Sequence, residues 1–537
     1  MSFTKLITQH FTRTPQSQPI LGKAQVRNSA GGFSFKVNDW DRLDRFLILG
    51  SEGGSYYSTP KTLTIDNAKT VLACIEADGA RVVRRVVEIS QAGRAPKNDP
   101  ALFVLAMCAS ASDPAVRRQA LDALPKVARI GTHLFHFMAY VEQFRGWGRG
   151  LRRAIGNWYN EMDAGRLAYQ AIKYQQRDGW SHRDALRLAH PQATTDQHNA
   201  IYHWITQGWP NVGELPHPDE ALVKIWAFER AKRATDSAEI VRLITDYRLP
   251  WEAIPTQYLR EPTVWDALLP SMPMTAMVRN LARMTSIGLL KSHNAATRHV
   301  LTMLGDGQRL RKARLHPIQL LSALTTYSSG HGVRGSLTWS PVTQIVDALD
   351  GAFYQSFGNV TPTGQRLVLG LDVSGSMAGS KLAGVPGLTP RTGSAAMALV
   401  TAATESTTHM MGFQSEFVPL NISPRQRLDD VVKNISGLPF GRTDCAKPMQ
   451  WALENRIEAD AFIIYTDSET WFGKEHPVQA LQRYRRKMGI PAKLIVVGMV
   501  SNLYTIADPD DAGMLDVVGF DTAVPNLMAD FIRGKSG

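Results

Sequence analysis

A chain of 537 residues, 44% hydrophobic and 8% aromatic, can bury the cores of two or more domains and is neither a disordered nor a fibrous polymer. No apolar run reaches the length of a membrane span, Met1 to Thr8 lacks the apolar stretch of a secretory signal, and Cys74, Cys108 and Cys445 have neither the number nor the spacing of a disulfide framework or zinc site. A reducing, cytoplasmic setting is expected, with the nucleus added for a eukaryotic source, and no membrane partner.

The net charge of +12 is unevenly placed. Residues 361–537 carry 17 basic and 18 acidic side chains, so the first 360 hold 43 basic and 30 acidic, a net of +13. A basic half joined to a neutral half points to a polyanion partner for the basic half, and nucleic acid is the commonest one.

In chain order, residues 1–30 are polar and read as a loosely ordered arm, and Ala30 to Val37 as a short strand or hairpin. Asp41 to Leu49 reads as an amphipathic helix ended by the glycine-rich turn 51–55. From Ile65 to Tyr354 helix follows helix: apolar residues recur at helical spacing over 67–78, 81–91, 100–111, 114–129, 220–233, 238–247, 263–271, 275–290, 317–327 and 343–357. Asp236 followed by Glu239 resembles a capping box. Short helix pairs without intervening strands predict an α-solenoid of divergent, HEAT-like pairs.

Within this region, Tyr169 to Pro191 holds the most informative pattern. Lys173 and Arg177, four apart, would share one face of a first helix ended by Gly179. Ser181 and Asp184 would cap a second, presenting Arg183, Arg187 and His190 on one face. Two basic faces around a tight turn can grip a phosphate backbone, with Tyr174 and Trp180 as stacking surfaces. The same spacing suits a solvated basic face with Trp180 in the core. Met277, Leu281 and Met284 form a core stripe, with Arg279 and Arg283 on another face of that helix. Arg145-Gly-Trp-Gly-Arg149-Gly-Leu-Arg152-Arg153 is basic, aromatic and glycine-rich at its start, then helical.

The last third changes character. Arg366-Leu-Val-Leu-Gly-Leu-Asp372-Val-Ser374-Gly-Ser376 is a buried-strand run ending in a carboxylate and two hydroxyls at alternate positions. Ala461 to Asp467 repeats the pattern, and Gly441-Arg-Thr443-Asp is a polar turn between apolar segments. Asp372, Ser374, Ser376, Thr443 and Asp467 together form the metal-ion-dependent adhesion-site pattern of von Willebrand factor A domains. Hard oxygen donors of this kind suit a divalent cation, magnesium first, with manganese or calcium as alternatives. The expected fold is multidomain: an α-solenoid over 1–360 followed by an α/β doubly wound A domain over 361–537.

The whole chain resembles the Ro ribonucleoprotein autoantigen family, a TROVE module followed by a von Willebrand factor A module. The resemblance rests on Gly32 to Val37 through Arg45-Phe-Leu47, Gly50 to Tyr57, Thr132 to Phe135, Trp158 to Glu161, Gly179 to His182, Pro273 to Thr285, Thr326 to Gly335, Asp372 to Met377, Gly441 to Cys445, Thr466-Asp467 and Ile506 to Asp511. It implies a ring of helices closed by the A domain. Small noncoding Y RNA would bind the outer basic surface, and single-stranded ends of misfolded or structured RNAs would enter a positive central hole, in RNA quality control. It places Lys173, Arg177 and His190 in the outer Y RNA contact set and Arg279 and Arg283 near the cavity. A nuclease tethered through RNA and a protein ligand at the metal site are the further partners it implies, for a monomeric ring. One departure is the proline- and glycine-rich stretch 383–390 after the first metal loop. The expected mechanism is binding, not catalysis. The alternatives are a metal-dependent interaction scaffold and a metal-dependent phosphohydrolase, the latter opposed by the absence of a phosphate-binding P-loop, a nucleophile elbow or a zinc-protease motif.

Overall fold

A computed structural model describes residues 13–36, 38–49, 69–95, 97–209, 219–313, 315–332, 335–379, 382, 387–413, 416–438, 443–500, 504–518 and 524–534. Residues 1–12 of the expected N-terminal arm, the turn 51–55, Gly441-Arg442 and half of the proline- and glycine-rich stretch lie outside these residues.

The helical region follows the sequence periodicity, with edges set by local chemistry. Asp39–Leu49 and Glu220–Arg233 are helices. The two segments expected over 67–91 are two helices within Lys69–Gln91, separated at Asp78, whose φ of −158° and ψ of 81° break the helical path. The helix expected over 114–129 divides into Pro114–Asp122 and Leu124–Val127, where Pro125 sits in the first turn of the second piece. Asp236 accepts from the Glu239 amide, half of the anticipated capping box; the Glu239 carboxylate pairs with Arg230 instead.

The A domain is a six-stranded sheet. Its strands are β5 (Leu367–Asp372), β6 (Thr408–Phe413), β7 (Phe417–Pro419), β8 (Ala461–Thr466), β9 (Lys493–Gly498) and β11 (Met514–Val518). The order is β11-β9-β8-β5-β6-β7, parallel except for the edge strand β7. Side chains alternate across it. Leu367, Leu369, Leu371, Ile463 and Val497 join the core shared with the helical region, while Val368, Phe462, Ile464, Leu494 and Val496 pack in a second core with Leu481 and Tyr484 of the helix Pro477–Met488.

Two further strands form a hairpin wider than the expected Ala30–Val37: β1 (Gln25–Arg27), in the arm expected to be loosely ordered, pairs with β2 (Phe33–Lys36), and the hairpin packs against residues distant in the chain. β2 pairs antiparallel with β10 (Tyr504–Thr505), so the N-terminal segment is built onto the A domain. The helical region then leaves this seam and comes back. Packing passes from Asp39–Leu49 through successive helices to Pro317–Ser328 and Thr343–Gln355, and Pro317–Ser328 packs on the A-domain helix Pro390–Thr404. Arg45 meets Asp516 at 2.6 Å on the departing side. On the returning side the Leu428 amide donates to the Tyr354 hydroxyl at 2.9 Å, and Arg427 pairs with Asp350. The A domain thus holds both ends of the helical array.

Candidate metal site and nucleic-acid interface

In the A domain, β5 lies between β6, reached through the helix Pro390–Thr404, and β8, reached after β7. The chain reverses direction across the sheet at β5, and the crevice past the carboxyl end of such a strand is where open α/β sheets bind ligands. Asp372 ends β5 and Asp467 follows β8; both are buried. The Ser374 amide donates to Asp372 Oδ1 at 2.9 Å and the Thr466 hydroxyl to Oδ2 at 2.7 Å, fixing the carboxylate. Burial, and then the negative charge of Asp467, push the Asp372 carboxyl well above the usual carboxylate range. The Ser374 and Ser376 hydroxyls lie 3.0 Å apart. Thr443 is buried, and its carbonyl accepts from the amides of Trp471 and Phe472 at 3.2 and 3.1 Å, which ties its loop to the one that carries Asp467.

The structure therefore brings the three predicted loops together. Among the described residues no group of three or more His, Cys, Asp or Glu side chains is gathered for a metal. The set here is two carboxylates among hydroxyls, and mutual repulsion of the buried carboxylates is what a hard divalent cation would relieve.

Sequence reasoning missed the groups that brace these loops. Arg391, buried in the helix Pro390–Thr404, donates to the carbonyls of Val373 and Ser374 at 3.3 and 3.2 Å. Gln16, fully buried, donates to Asp444 Oδ1 at 2.6 Å and to the Glu475 carbonyl at 2.8 Å, and accepts from the Thr470 hydroxyl. Asn28 donates to the Thr470 carbonyl at 2.6 Å. Nothing local in the sequence marks Arg391, Gln16 or Asn28 for these contacts.

On the basic surface, one expectation is corrected. The helix Ala164–Lys173 ends at Lys173, and Arg177 lies instead in β3 (Gln176–Arg177), paired with β4 (Trp180–Ser181). Asp178 and Gly179, with φ of +52° and +82°, make the two-residue turn of a β-hairpin, which an Asp-Gly pair favours. Lys173 and Arg177 thus share no helix face. Lys173 is half-buried, 3.4 Å from Glu252 and 3.3 Å from the Tyr169 hydroxyl, whereas Arg177 is exposed. The second helix, His182–Ala189, carries the full capping box of Ser181 and Asp184. It presents Arg183 and Arg187 to solvent, and His190 follows as an exposed left-handed cap with φ of +48°. Trp180 packs half-buried against Trp147, ring centroids 5.4 Å apart. On the helix Met274–Ser286, Met277, Leu281 and Met284 are core, Arg279 is exposed, and Arg283 donates to the Leu259 carbonyl at 3.2 Å.

Comparison with known proteins gives one consistent answer. The family model of the TROVE domain matches residues 26–213 and 242–326, and that of the Ro60 vWA domain residues 366–532. The chain is 44% identical over 524 residues to the RNA-binding protein RO60 of Deinococcus radiodurans, covering 97% of each. It is 37% identical over 597 residues to the RNA-binding protein RO60 of Caenorhabditis elegans, covering 97% of this chain and 92% of the relative. The crystal structure of the Deinococcus radiodurans RO (RSR) protein superposes with a TM-score of 0.76 at 43% identity, covering 93% of this chain and all of that one. With both modules matched in order and relatives aligned nearly end to end, this chain belongs to the Ro60 family, a TROVE domain followed by a Ro60-type von Willebrand factor A domain.

Proposed function

We propose that the protein binds RNA: small noncoding Y RNA on the outer basic surface, and single-stranded ends of misfolded or structured noncoding RNAs in a central hole, in RNA quality control. The observation that carries RNA binding is the coincidence of a helical region of net charge +13 with relatives, aligned over 97% of this chain, that are named RNA-binding proteins. The return of the helical array to the A domain supports a closed ring. Exposed Arg177, Arg183, Arg187, His190 and Arg279 are the surface contacts of this reading; Lys173 and Arg283 act partly by holding their own helices in place.

The metal site serves a second partner. Asp372, Ser374, Ser376, Thr443 and Asp467 would hold a divalent cation, magnesium first, with manganese or calcium as alternatives, which when bound supplies a charge for an acidic side chain of a protein ligand. The protein works as a monomeric ring in the cytoplasm, can tether a nuclease through bound RNA, and carries out no catalysis: its carboxylate site lies in the half without excess positive charge.

The test is RNA binding by the purified protein across a salt series, comparing a structured RNA with a single-stranded 3′ tail with its blunt-ended form. Tight, salt-sensitive binding of the tailed RNA is expected. An Arg183→Ala/Arg187→Ala variant should lose affinity for a Y-like RNA, its salt slope shallower by about one per phosphate contact removed. Absence of salt-sensitive binding to either RNA would sink RNA binding and leave the metal-dependent scaffold as the better account.

A further inference from the structure

The basic, glycine-rich stretch that begins at Arg145 enters neither the metal site nor the basic surface around Arg183 and Arg187. It forms one wall of a cavity of about 240 Å³, closed on the other side by the start of the helix Pro114–Asp122. Arg117, Arg118, Arg145, Arg149 and Arg153 line this cavity together, and no carboxylate does. Among the described residues none of the five forms an ion pair. Only Arg117 is committed, donating to the carbonyls of Ala111 and Ser112 at 2.7 and 2.6 Å, which fixes its guanidinium at the rim.

Five arginines line one small space that no carboxylate of the described residues lines, so the local field there is positive. The backbone adds to the positive field. Gly148 caps the twelve-residue helix Arg149–Asn160 without a side-chain hydrogen bond, and Gly148, Arg149, Gly150 and Leu151, the start of that helix, line the same space, where the helix dipole is positive. Gly146, at φ +79°, and Gly148 leave the mouth open, and a Cβ at either would meet nothing within 4 Å. The floor is apolar, from Leu121 and Val141.

The charge sets the ligand. One phosphodiester carries a single negative charge, and a strand passing over the surface brings its phosphates about one nucleotide apart, not into one cavity. A terminal triphosphate concentrates several charges and many acceptor oxygens in a volume of this size, the geometry that forked guanidinium donors match. We propose that this cavity binds a terminal triphosphate, presented by the 5′ end of an unprocessed RNA. The proposal deepens the RNA reading and rests on it; a free nucleoside triphosphate has the same chemistry and is separated by experiment.

The test uses the full chain and one single-stranded RNA made with a 5′-triphosphate, a 5′-monophosphate or a 5′-hydroxyl. The triphosphate form should bind roughly tenfold or more tighter than the hydroxyl form, and an Arg118→Gln/Arg149→Gln variant, both positions exposed and so tolerant of the change, should erase that preference. Arg145→Gln, on a different element, should reduce it independently. Calorimetric titration with inorganic tripolyphosphate and with GTP separates the sources. Their binding at affinities matching the RNA assigns the cavity to the anion alone, and much weaker binding assigns it to the RNA end. Equal binding of the three RNA forms, or a preference that survives both variants, overturns the proposal. Absence of any RNA binding defeats the RNA reading, and the tripolyphosphate titration then still decides whether the cavity holds a polyphosphate.

Discussion

His182 closes the stretch Gly179-Trp-Ser-His182, where a polar residue beside basic neighbours invites a role in RNA contact. Instead it is buried among the rings of Phe135, Trp158 and Tyr159, and its Nδ1 lies 2.7 Å from the Tyr159 hydroxyl. Burial lowers its pKa to about 4, and burial does the same to His133 and His316. Each is neutral in the folded chain below the pH at which the unfolded chain protonates it, near 6.5. Between about pH 6.5 and 4 the unfolded state therefore binds more protons, and stability falls as pH falls through that window. At pH 5 each histidine withdraws on the order of 2 kcal/mol. Burial also raises the carboxyls of Asp41, Asp372 and Asp444, which take up protons in the folded state over the same window and oppose this loss. The histidine share is therefore read by difference: between pH 7 and pH 5 the unfolding midpoint of metal-free His316→Gln should fall less, or rise more, than that of the parent, and an identical pH profile would show that this ring is reachable by water. Residue chemistry was legible where it was local: Asp372, Ser374 and Ser376 lie within five residues, although the chain leaves the strand at Asp372 and a turn into the helix Ser376–Gly379, not strand alternation, sets the Ser374 and Ser376 hydroxyls 3.0 Å apart. Gln16 was illegible because the groups it holds, Asp444, Thr470 and Glu475, lie more than 400 residues away in the chain.

Helices declared themselves through periodicity, a property of neighbours, and their edges moved wherever one residue overruled the pattern. Pro125 divided one helix, and Asp178-Gly179 turned an expected helix end into a hairpin. A four-residue spacing places Lys173 and Arg177 together only while the chain stays helical, and Tyr174 leaves the helix at ψ 67°. The pairing of β2 with β10 obeys no local rule and was not legible. It depends on close approach at Gly32, where any Cβ would overlap the Thr470 carbonyl and press on the Trp471 backbone, neither of which can yield cheaply. Gly32→Ala should accordingly undock the hairpin. The expected readout is faster amide exchange at Phe33–Lys36 and Tyr504–Thr505, with a loss of about 1–3 kcal/mol from overpacking. Unchanged exchange at Tyr504–Thr505 would mean that β10 is held without its N-terminal partner.

At the scale of the whole molecule, the two seams that join the helical array to the A domain are built differently, and the difference is measurable. The departing seam holds Arg45 and Asp516, 3% and 7% exposed, with the Thr505 hydroxyl donating to the other Asp516 oxygen at 2.7 Å. The returning seam holds Arg427 and Asp350, with Arg427 58% exposed over the Tyr354 ring at 4.6 Å. An exposed ion pair is screened by water and salt and contributes about 0–1 kcal/mol, with a cation–π contact adding roughly 0.5–1. A buried pair adds little net stability against an apolar replacement of both partners, but removing one partner strands a charge and costs about 3–5 kcal/mol. Arg45→Met should therefore destabilise the protein severely, Arg427→Met only slightly, and Arg45→Met combined with Asp516→Leu should recover much of the loss. In urea unfolding the double variant is the decisive member, because recovery identifies the stranded Asp516 carboxylate, not lost packing, as the source of the damage. If Arg427→Met proved the more damaging single change, the closure would rest on the returning seam.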